Sequence, residues 1–206
     1  MNPLKRLASQ TAIYGVSSVL GRFLNYLLVP LYTYSFLPAD YGVVVEFYAY
    51  MGFLAVLLAF GLETGYFRFR EEGGRSPLLV FATVLRFLIL ANLGFFLLAW
   101  TYREPIAAVL RHAAHPEYIA WVAAILALDS VGAIAFARLR AEQKALRFAL
   151  IKLTEIGVNI ALNLFFILLC RQAFERDPTS WLGGLWDPAI GVGYVFLANL
   201  AASALK

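Results

Sequence analysis

Residues 11–37 read TAIYGVSSVLGRFLNYLLVPLYTYSFL, and this first long apolar run decides the fold. A helix of roughly 20 apolar residues spans a bilayer, so the run is long enough, yet it carries Arg22 near its middle. On a helical wheel of about 100° per residue, its polar residues fall on one face and its leucines on the other. We therefore expect the face with Arg22 and Asn25 to turn toward protein or water, and the leucines toward lipid or neighbouring helices.

The composition of the whole chain is typical of a membrane protein. Of its 206 residues, 62% are apolar and 15% are charged, whereas a soluble domain carries about 25% charged residues. The apolar residues come in runs near or above 18 residues, which favours membrane helices, while a β-barrel would show short alternating segments. We predict an all-α, polytopic transmembrane bundle of about six spans, at 11–37, 42–62, 77–101, 118–137, 148–170 and 189–206.

The basic residues indicate how this bundle is oriented. With the N-terminus inside, the inner segments hold ten of the 17 lysines and arginines, Lys206 among them, and the outer loops hold four. Positive charges are enriched in cytoplasmic loops, so both termini are predicted to be cytoplasmic. The net charge of +4 then reflects loops and not a nucleic-acid surface. The first run is too long for the apolar region of a cleavable signal peptide, so we expect a retained anchor.

Seven ionisable residues lie within the predicted spans: Arg22, Glu46, Glu63, Arg86, Asp129, Lys152 and Glu155. Each costs about 2.5–3.5 kcal/mol on insertion scales and marks a functional site by default. Glu46 and Glu63 lie near the ends of the second span and can reach an interface. The residues predicted to line a hydrated cavity are Arg22, Asn25, Arg86, Asp129, Lys152, Glu155, Asn159 and Asn163.

The fifth span repeats the polar stripe of the first. Lys152, Glu155, Asn159 and Asn163 follow one another at spacings of three, four and four residues, which keeps them within roughly 80° of one another on a helix. Two spans thus carry polar stripes through the bilayer. The two asparagines are equally suited to interhelical hydrogen bonds with a purely structural role.

The charged residues also have structural alternatives. Lys152 and Glu155 are spaced for a local ion pair, and Lys152 can extend to the membrane surface. Asp129 can pair with Arg22 between helices. Arg86 can pair with Asp129 or with Glu155.

Motifs of catalysis are absent from the sequence. It has no Walker-type phosphate loop, no HExxH and no Gly-x-Ser-x-Gly. His112 and His115 lie in a predicted loop, where we expect them to be solvated and not to bind a metal. We predict no enzyme activity, no cofactor and no nucleic-acid partner.

Several short segments occur in an order that is familiar from a known family. They are ASQTAIYG at 8–15, LGRF at 20–23, PLYT at 30–33, LPADYG at 37–42, FGLET at 60–64 and FRF at 67–69. This succession resembles the start of the oligosaccharide (O-antigen) flippases, which are polysaccharide-biosynthesis proteins of the multidrug/oligosaccharidyl-lipid/polysaccharide exporter superfamily. The resemblance covers residues 8–70, about a third of the chain.

The resemblance implies a two-lobed transporter in the bacterial inner membrane, of which this chain is the N-terminal lobe. A C-terminal lobe or partner chain would complete it, and membrane lipid would surround it. The implied substrate is an undecaprenyl-diphosphate-linked oligosaccharide for O-antigen, capsule or exopolysaccharide synthesis. Arg22, Arg86 and Lys152 would then bind the diphosphate, the asparagines would bind sugar hydroxyls, and Asp129 and Glu155 would balance charge or titrate with a coupling ion.

Other functions stay open at this point. A drug or cation antiporter of the same superfamily should have an acidic cavity, and the three basic residues count against it. A non-transporting membrane subunit of an envelope polysaccharide assembly complex would fit a chain that needs a partner. A membrane-embedded glycosyltransferase would need acidic loop motifs that the sequence lacks.

Overall fold

Helices form all the regular secondary structure in the part of the chain that the computed structural model describes, residues 14–16, 19–20, 23–24, 26–72, 74 and 76–206. The helices are α1 (Leu28–Ser35), α2 (Pro38–Leu58), α3 (Leu62–Glu71), α4 (Pro77–Thr101), α5 (Arg103–Val109), α6 (Pro116–Ala141), α7 (Ala145–Leu164), α8 (Arg171–Arg176) and α9 (Gly193–Ala204). A π-helical stretch, Phe165–Cys170, joins α7 to α8, and a 3-10 turn, Gly183–Leu185, precedes α9. The predicted all-α class is confirmed for these residues.

Four helical segments are long and apolar enough to cross a membrane, and they indicate a membrane protein. They are Pro38–Glu71 (α2 with α3), Pro77–Thr101 (α4), Pro116–Ala141 (α6) and Ala145–Arg176 (α7 through α8). The α4 segment has the predicted bounds. The other three extend past the predicted spans at both ends, because their polar terminal turns continue the helix beyond the apolar run.

Two of the six predicted spans are not among these four. Helix α9 is apolar but has 12 residues, about 18 Å at 1.5 Å per residue, which is short against a hydrocarbon layer of about 30 Å. Turns occupy most of 187–192, where the sixth span was expected to begin. The predicted span 11–37 is described in part, at 14–16, 19–20, 23–24 and 26–37, with α1 near its end. A total of about six spans stays a prediction.

Proline sets the start of three of the membrane-length segments. Pro38, Pro77 and Pro116 each occupy the first turn of their helix, where a fixed φ is favourable and the missing N–H costs nothing. At α4 the Ser76 hydroxyl also accepts a hydrogen bond from the Leu79 N–H, at 3.1 Å, which caps the helix. The sequence therefore marks these starts more sharply than the ends.

A left-handed turn separates α2 from α3. Phe60 and Gly61 have φ angles of 50° and 62°. Glycine adopts this conformation readily, whereas for phenylalanine it is uncommon and costs energy. The turn lies where the second predicted span ends, and α3 beyond it packs against α4 and α6.

Helix α6 is the centre of the bundle. It packs against α2, α3, α4, α5, α7 and α9, and 44% of its most apolar stretch is buried, against 17% to 22% in the other three segments. At one end of α6, the rings of Phe47, Tyr118 and Phe196 form a mutual aromatic contact with centroids 5.3–6.0 Å apart. The other three segments leave wide apolar faces for lipid or for a partner.

A short polar seam ties α4, α6 and α2 together inside the bundle. The Asn92 amide donates to the Ser130 hydroxyl at 3.1 Å and to the Leu88 carbonyl at 2.9 Å. The Ser130 hydroxyl in turn donates to the Leu58 carbonyl at 2.8 Å. Asn92 and Ser130 are both buried, and buried polar groups of this kind stabilise helix association in membranes.

We expect Ser130→Ala to destabilise the protein by about 1 kcal/mol, because it removes two interhelical hydrogen bonds from a buried position. The apparent melting temperature in detergent would fall. Thr101→Ala is the matched control, since its exposed hydroxyl bonds only the Leu97 carbonyl of its own helix. Equal melting temperatures for the two variants would contradict a stabilising role for the seam.

Candidate functional site

A cavity of about 350 Å³ lies between α1, α2, α7 and α9. Its volume is at the lower end of the range for ligand pockets, about 300–1,000 Å³. Aliphatic side chains form part of its wall. Its polar wall consists of three tyrosines, two charged residues and two asparagines: Tyr32, Tyr41, Tyr48, Lys152, Glu155, Asn159 and Asn199.

Helix α7 supplies most of the polar groups of the cavity. Lys152, Glu155 and Asn159 line it, while Leu150 and Leu164 on the opposite face are exposed. The spacing of three and four residues is what brings the three polar side chains to one side of the helix. The structure thus places three of the eight predicted site residues on one cavity wall.

A chain of alternating charges extends from the cavity into the bundle. The Lys152 ammonium contacts Glu155 at 2.9 Å, and the Lys206 ammonium contacts the other oxygen of Glu155 at 3.1 Å and also Asp129. We call Lys152, Glu155, Lys206 and Asp129 the charge chain. Lys206 is only 6% exposed and Glu155 13%, whereas Lys152 and Asp129 keep 35% and 39% of their side-chain surface. The two buried members thus each have opposite charges beside them, as burial of an ion requires.

Lys206 is a site residue that the sequence analysis assigned to the inner surface. Its side chain instead lies buried against α6 because α9 is short and delivers it to the level of Asp129. A glycine leaves room for this close approach, since a β-carbon at Gly132 would lie 3.0 Å from the Lys206 Cε. The sequence signal was Gly132, which follows Asp129 by one helical turn. This spacing alone does not show that Lys206 packs there.

Asn163 has a structural role and does not line the cavity. Its side chain is fully buried, and it accepts a hydrogen bond from the Tyr32 hydroxyl at 2.9 Å across α1 and α7. Its amide donates to the Asn159 carbonyl at 2.8 Å and to the Asn159 side-chain oxygen at 3.1 Å. Of the two roles open from the sequence, Asn163 takes that of an interhelical hydrogen bond and positions Asn159.

Tyr48 and Asn199 join the site from α2 and α9. The Asn199 amide donates to the Tyr48 hydroxyl at 3.1 Å, so the two residues link their helices at the cavity wall. Asn199 was the available signal, because it is an amide within an otherwise apolar helix.

Arg86 is not part of this site. It is exposed on α4, a helix that packs mainly on α6, and within the described ranges it makes no ion pair. Neither of the two pairings that the sequence left open for it, with Asp129 or with Glu155, is present, and lysines contact both acids. Arg22 and Asn25 lie outside the described residues.

The two loop histidines are partnered. His112 contacts Glu46 at 3.1 Å and packs beside Phe47, with ring centroids 5.3 Å apart. His115 contacts Glu117 at 2.9 Å. The expectation that His112 is solvated is wrong, since its side chain is 16% exposed. Among the residues that the structure describes, no group of three or more metal-ligating side chains is present.

Comparisons of the chain with protein-family models, with curated proteins and with solved structures found no match.

The charge chain should behave as one energetic unit. We expect Glu155→Gln and Lys206→Gln to be non-additive by at least about 1 kcal/mol in a double-mutant cycle, because the two groups are in contact and largely buried. Unfolding by SDS in mixed micelles measures the free energies. The matched control is the exposed pair Arg68–Glu72, with an expected coupling below about 0.5 kcal/mol. Equal coupling energies for the two pairs would contradict the claim that the charge chain is one energetic unit.

Proposed function

We propose that this chain is the N-terminal lobe of a flippase for undecaprenyl-diphosphate-linked oligosaccharides in the bacterial cytoplasmic membrane, with its N-terminus in the cytoplasm. Such a transporter would serve the synthesis of O-antigen, capsule or exopolysaccharide. The observation that carries the proposal is the polar cavity with Lys152 on its wall, set among apolar helices of membrane length. The order of residues 8–70, which resembles this family, supports the same function.

The cavity answers the physical problem of moving a polar head group through hydrocarbon. Transfer of unpaired polar groups into an apolar medium costs several kcal/mol each, and far more for a charge. Polar backbone and side-chain groups at membrane depth are tolerated where they line a cavity. Seven polar side chains converge here, so a head group inside the cavity would exchange water for protein partners.

Lys152 is suited to meet the diphosphate. An ammonium has three N–H donors, and one of them is directed to Glu155 at 2.9 Å. The side chain keeps about a third of its surface, so its other donors are accessible from the cavity. Charge-assisted hydrogen bonds to phosphate oxygens are roughly twice as strong as neutral ones.

The charge chain keeps its buried charges paired both without substrate and with substrate bound. Without substrate, Glu155 neutralises Lys152. When a diphosphate binds Lys152, Glu155 keeps its contact with Lys206, so neither carboxylate is left as an isolated buried ion, which would be strongly unfavourable. Asn159 and Asn199 on the same wall offer amide groups to sugar hydroxyls.

The size of the cavity fits a lobe better than a complete transporter. A volume of about 350 Å³ is at the low end for drug-sized ligands, and an oligosaccharide head group is larger. A second lobe or a partner chain facing α1, α2 and α7 would supply the remaining wall. The lipid tail would stay in the membrane beside the lobe.

A cation or drug antiporter is the second candidate, and the two carboxylates of the charge chain favour it. A cationic substrate would have to displace Lys206 and Lys152 from Asp129 and Glu155. The lysine on the cavity wall would repel it. A non-transporting subunit of a polysaccharide assembly complex would need no polar cavity at membrane depth.

We expect Lys152→Gln to reduce flipping of a fluorescent lipid-linked oligosaccharide by about tenfold or more, since it removes a charge-assisted contact worth about 1.5–3 kcal/mol. Proteoliposomes with the full-length protein and any partner lobe measure the rate. Lys152→Arg should retain most activity. Lys144→Gln is the control, because Lys144 pairs with Glu142 outside the cavity.

Wild-type flipping by Lys152→Gln at normal expression would refute the diphosphate role of Lys152. Uptake or efflux of ethidium that depends on Asp129 and Glu155 would favour the antiporter. The role proposed for Arg22 is tested in the same assay with Arg22→Ala, for which a comparable loss is expected.

A further inference from the structure

A second cavity, of about 270 Å³, lies at one end of the bundle, away from the polar site. It is formed where α3 ends, α4 begins and α6 ends, so it lies at the ends of three membrane-length segments. Arg70, Arg138 and Ser76 are among the residues that line it. The proposed transport cycle uses none of them.

Two guanidinium groups are fixed on the wall of this cavity. Arg70 donates from Nη1 to the hydroxyl of the buried Tyr66 at 2.9 Å. Arg138 lies over the ring of Phe81, 4.6 Å from its centroid, a cation–π arrangement. Tyr66 and Phe81 contact each other with ring centroids 6.2 Å apart. The rings of Tyr66 and Phe81 thus hold the two guanidinium groups in place. This lowers the entropy cost of binding a ligand.

The acids around the cavity do not neutralise its arginines. Glu142 is shared between Lys144 and Arg138, and hydrogen bonds from these two cations lower its pKa to about 2. It therefore stays ionised, yet one carboxylate balances two cations. Arg70 makes no ion pair with any residue in the described ranges, and Glu72 pairs instead with Arg68, which lies two residues earlier on the same helix.

Free donors remain for a ligand. A guanidinium has five N–H donors in a planar fork that matches phosphate oxygens. Arg70 directs one donor to the Tyr66 hydroxyl at 2.9 Å, and Arg138 directs one to the Glu142 carboxylate at 2.6 Å. The first turn of α4 adds the positive end of a long helix. Leu78, on the cavity wall, and Leu79 beside it are exposed apolar side chains.

We infer that this cavity is a binding site for a phosphate group, held between Arg70 and Arg138. An anionic phospholipid head group and a free phosphate share this chemistry. The position at the helix ends and the exposed leucines suit a phospholipid whose chains run along α4. Basic pockets between membrane helices are a recognised setting for anionic head groups.

Native mass spectrometry of the purified full chain in neutral detergent tests this site. Short-chain phosphatidylglycerol, short-chain phosphatidylcholine and inorganic phosphate are titrated separately. We expect Arg70→Gln and Arg138→Gln each to weaken binding of the phosphate-bearing anion by roughly fivefold or more, because each removes a charge-assisted contact. Arg68→Gln is the matched control, since Arg68 is on the same helix but outside the cavity, and should change binding less than about twofold.

The three ligands distinguish the sources. Phosphatidylglycerol binding that phosphate does not compete with assigns the site to lipid, and phosphate binding alone assigns it to free phosphate; both keep the site. An equal effect of Arg68→Gln would overturn it, as would unchanged binding in Arg138→Gln. Arg138→Gln decides the matter if Arg70→Gln, whose partner Tyr66 is buried, does not fold.

Discussion

The structure depends on one constraint, that an ion inside an apolar bundle must have a partner of opposite charge. Lys206 meets it by contacting both Asp129 and Glu155. These contacts join the end of α9 to α6 and α7, so the short helix is held against both of them. Lys152, on the cavity wall, contacts Glu155, and Lys206 holds Glu155 in place. The same ion pairs therefore neutralise the buried charges and hold together the helices that form the cavity.

Neutral hydrogen bonds also link the helices around the cavity. Tyr32 to Asn163 connects α1 with α7, and Asn199 to Tyr48 connects α9 with α2. Each bond crosses between helices that would otherwise have only side-chain packing to hold them, which in a membrane lacks the hydrophobic driving force available in water. The four helices around the cavity are thus fixed by polar groups at their inner faces. Their outer faces stay apolar.

The sequence predicted what depends on local pattern. Span 77–101 was found with its bounds because a predominantly apolar run begins at Pro77, where the proline and the preceding Ser76 also start the helix. The stripe on α7 was found because helical spacing alone determines which side chains share a face. Lys206 was missed because its depth depends on the length of α9 and on the space beside Gly132, which are tertiary facts. The direction of Arg86 could not be predicted, because one charge in an apolar run has no periodicity to show which way its side chain points.

The π-helical stretch Phe165–Cys170 has a consequence for the phase of the helix around it. An α-helix advances by about 100° per residue, and a wide turn with i→i+5 bonding inserts one extra residue into that progression. The angular frame of Lys152 and Asn163 therefore does not carry over to Arg171, although 145–176 is one continuous segment. Arg171 instead contacts the carbonyl of Ser35, the last residue of α1. The same helical segment therefore uses two faces that α-helical periodicity does not relate. One lines the cavity near Lys152, and the other contacts α1 through Arg171.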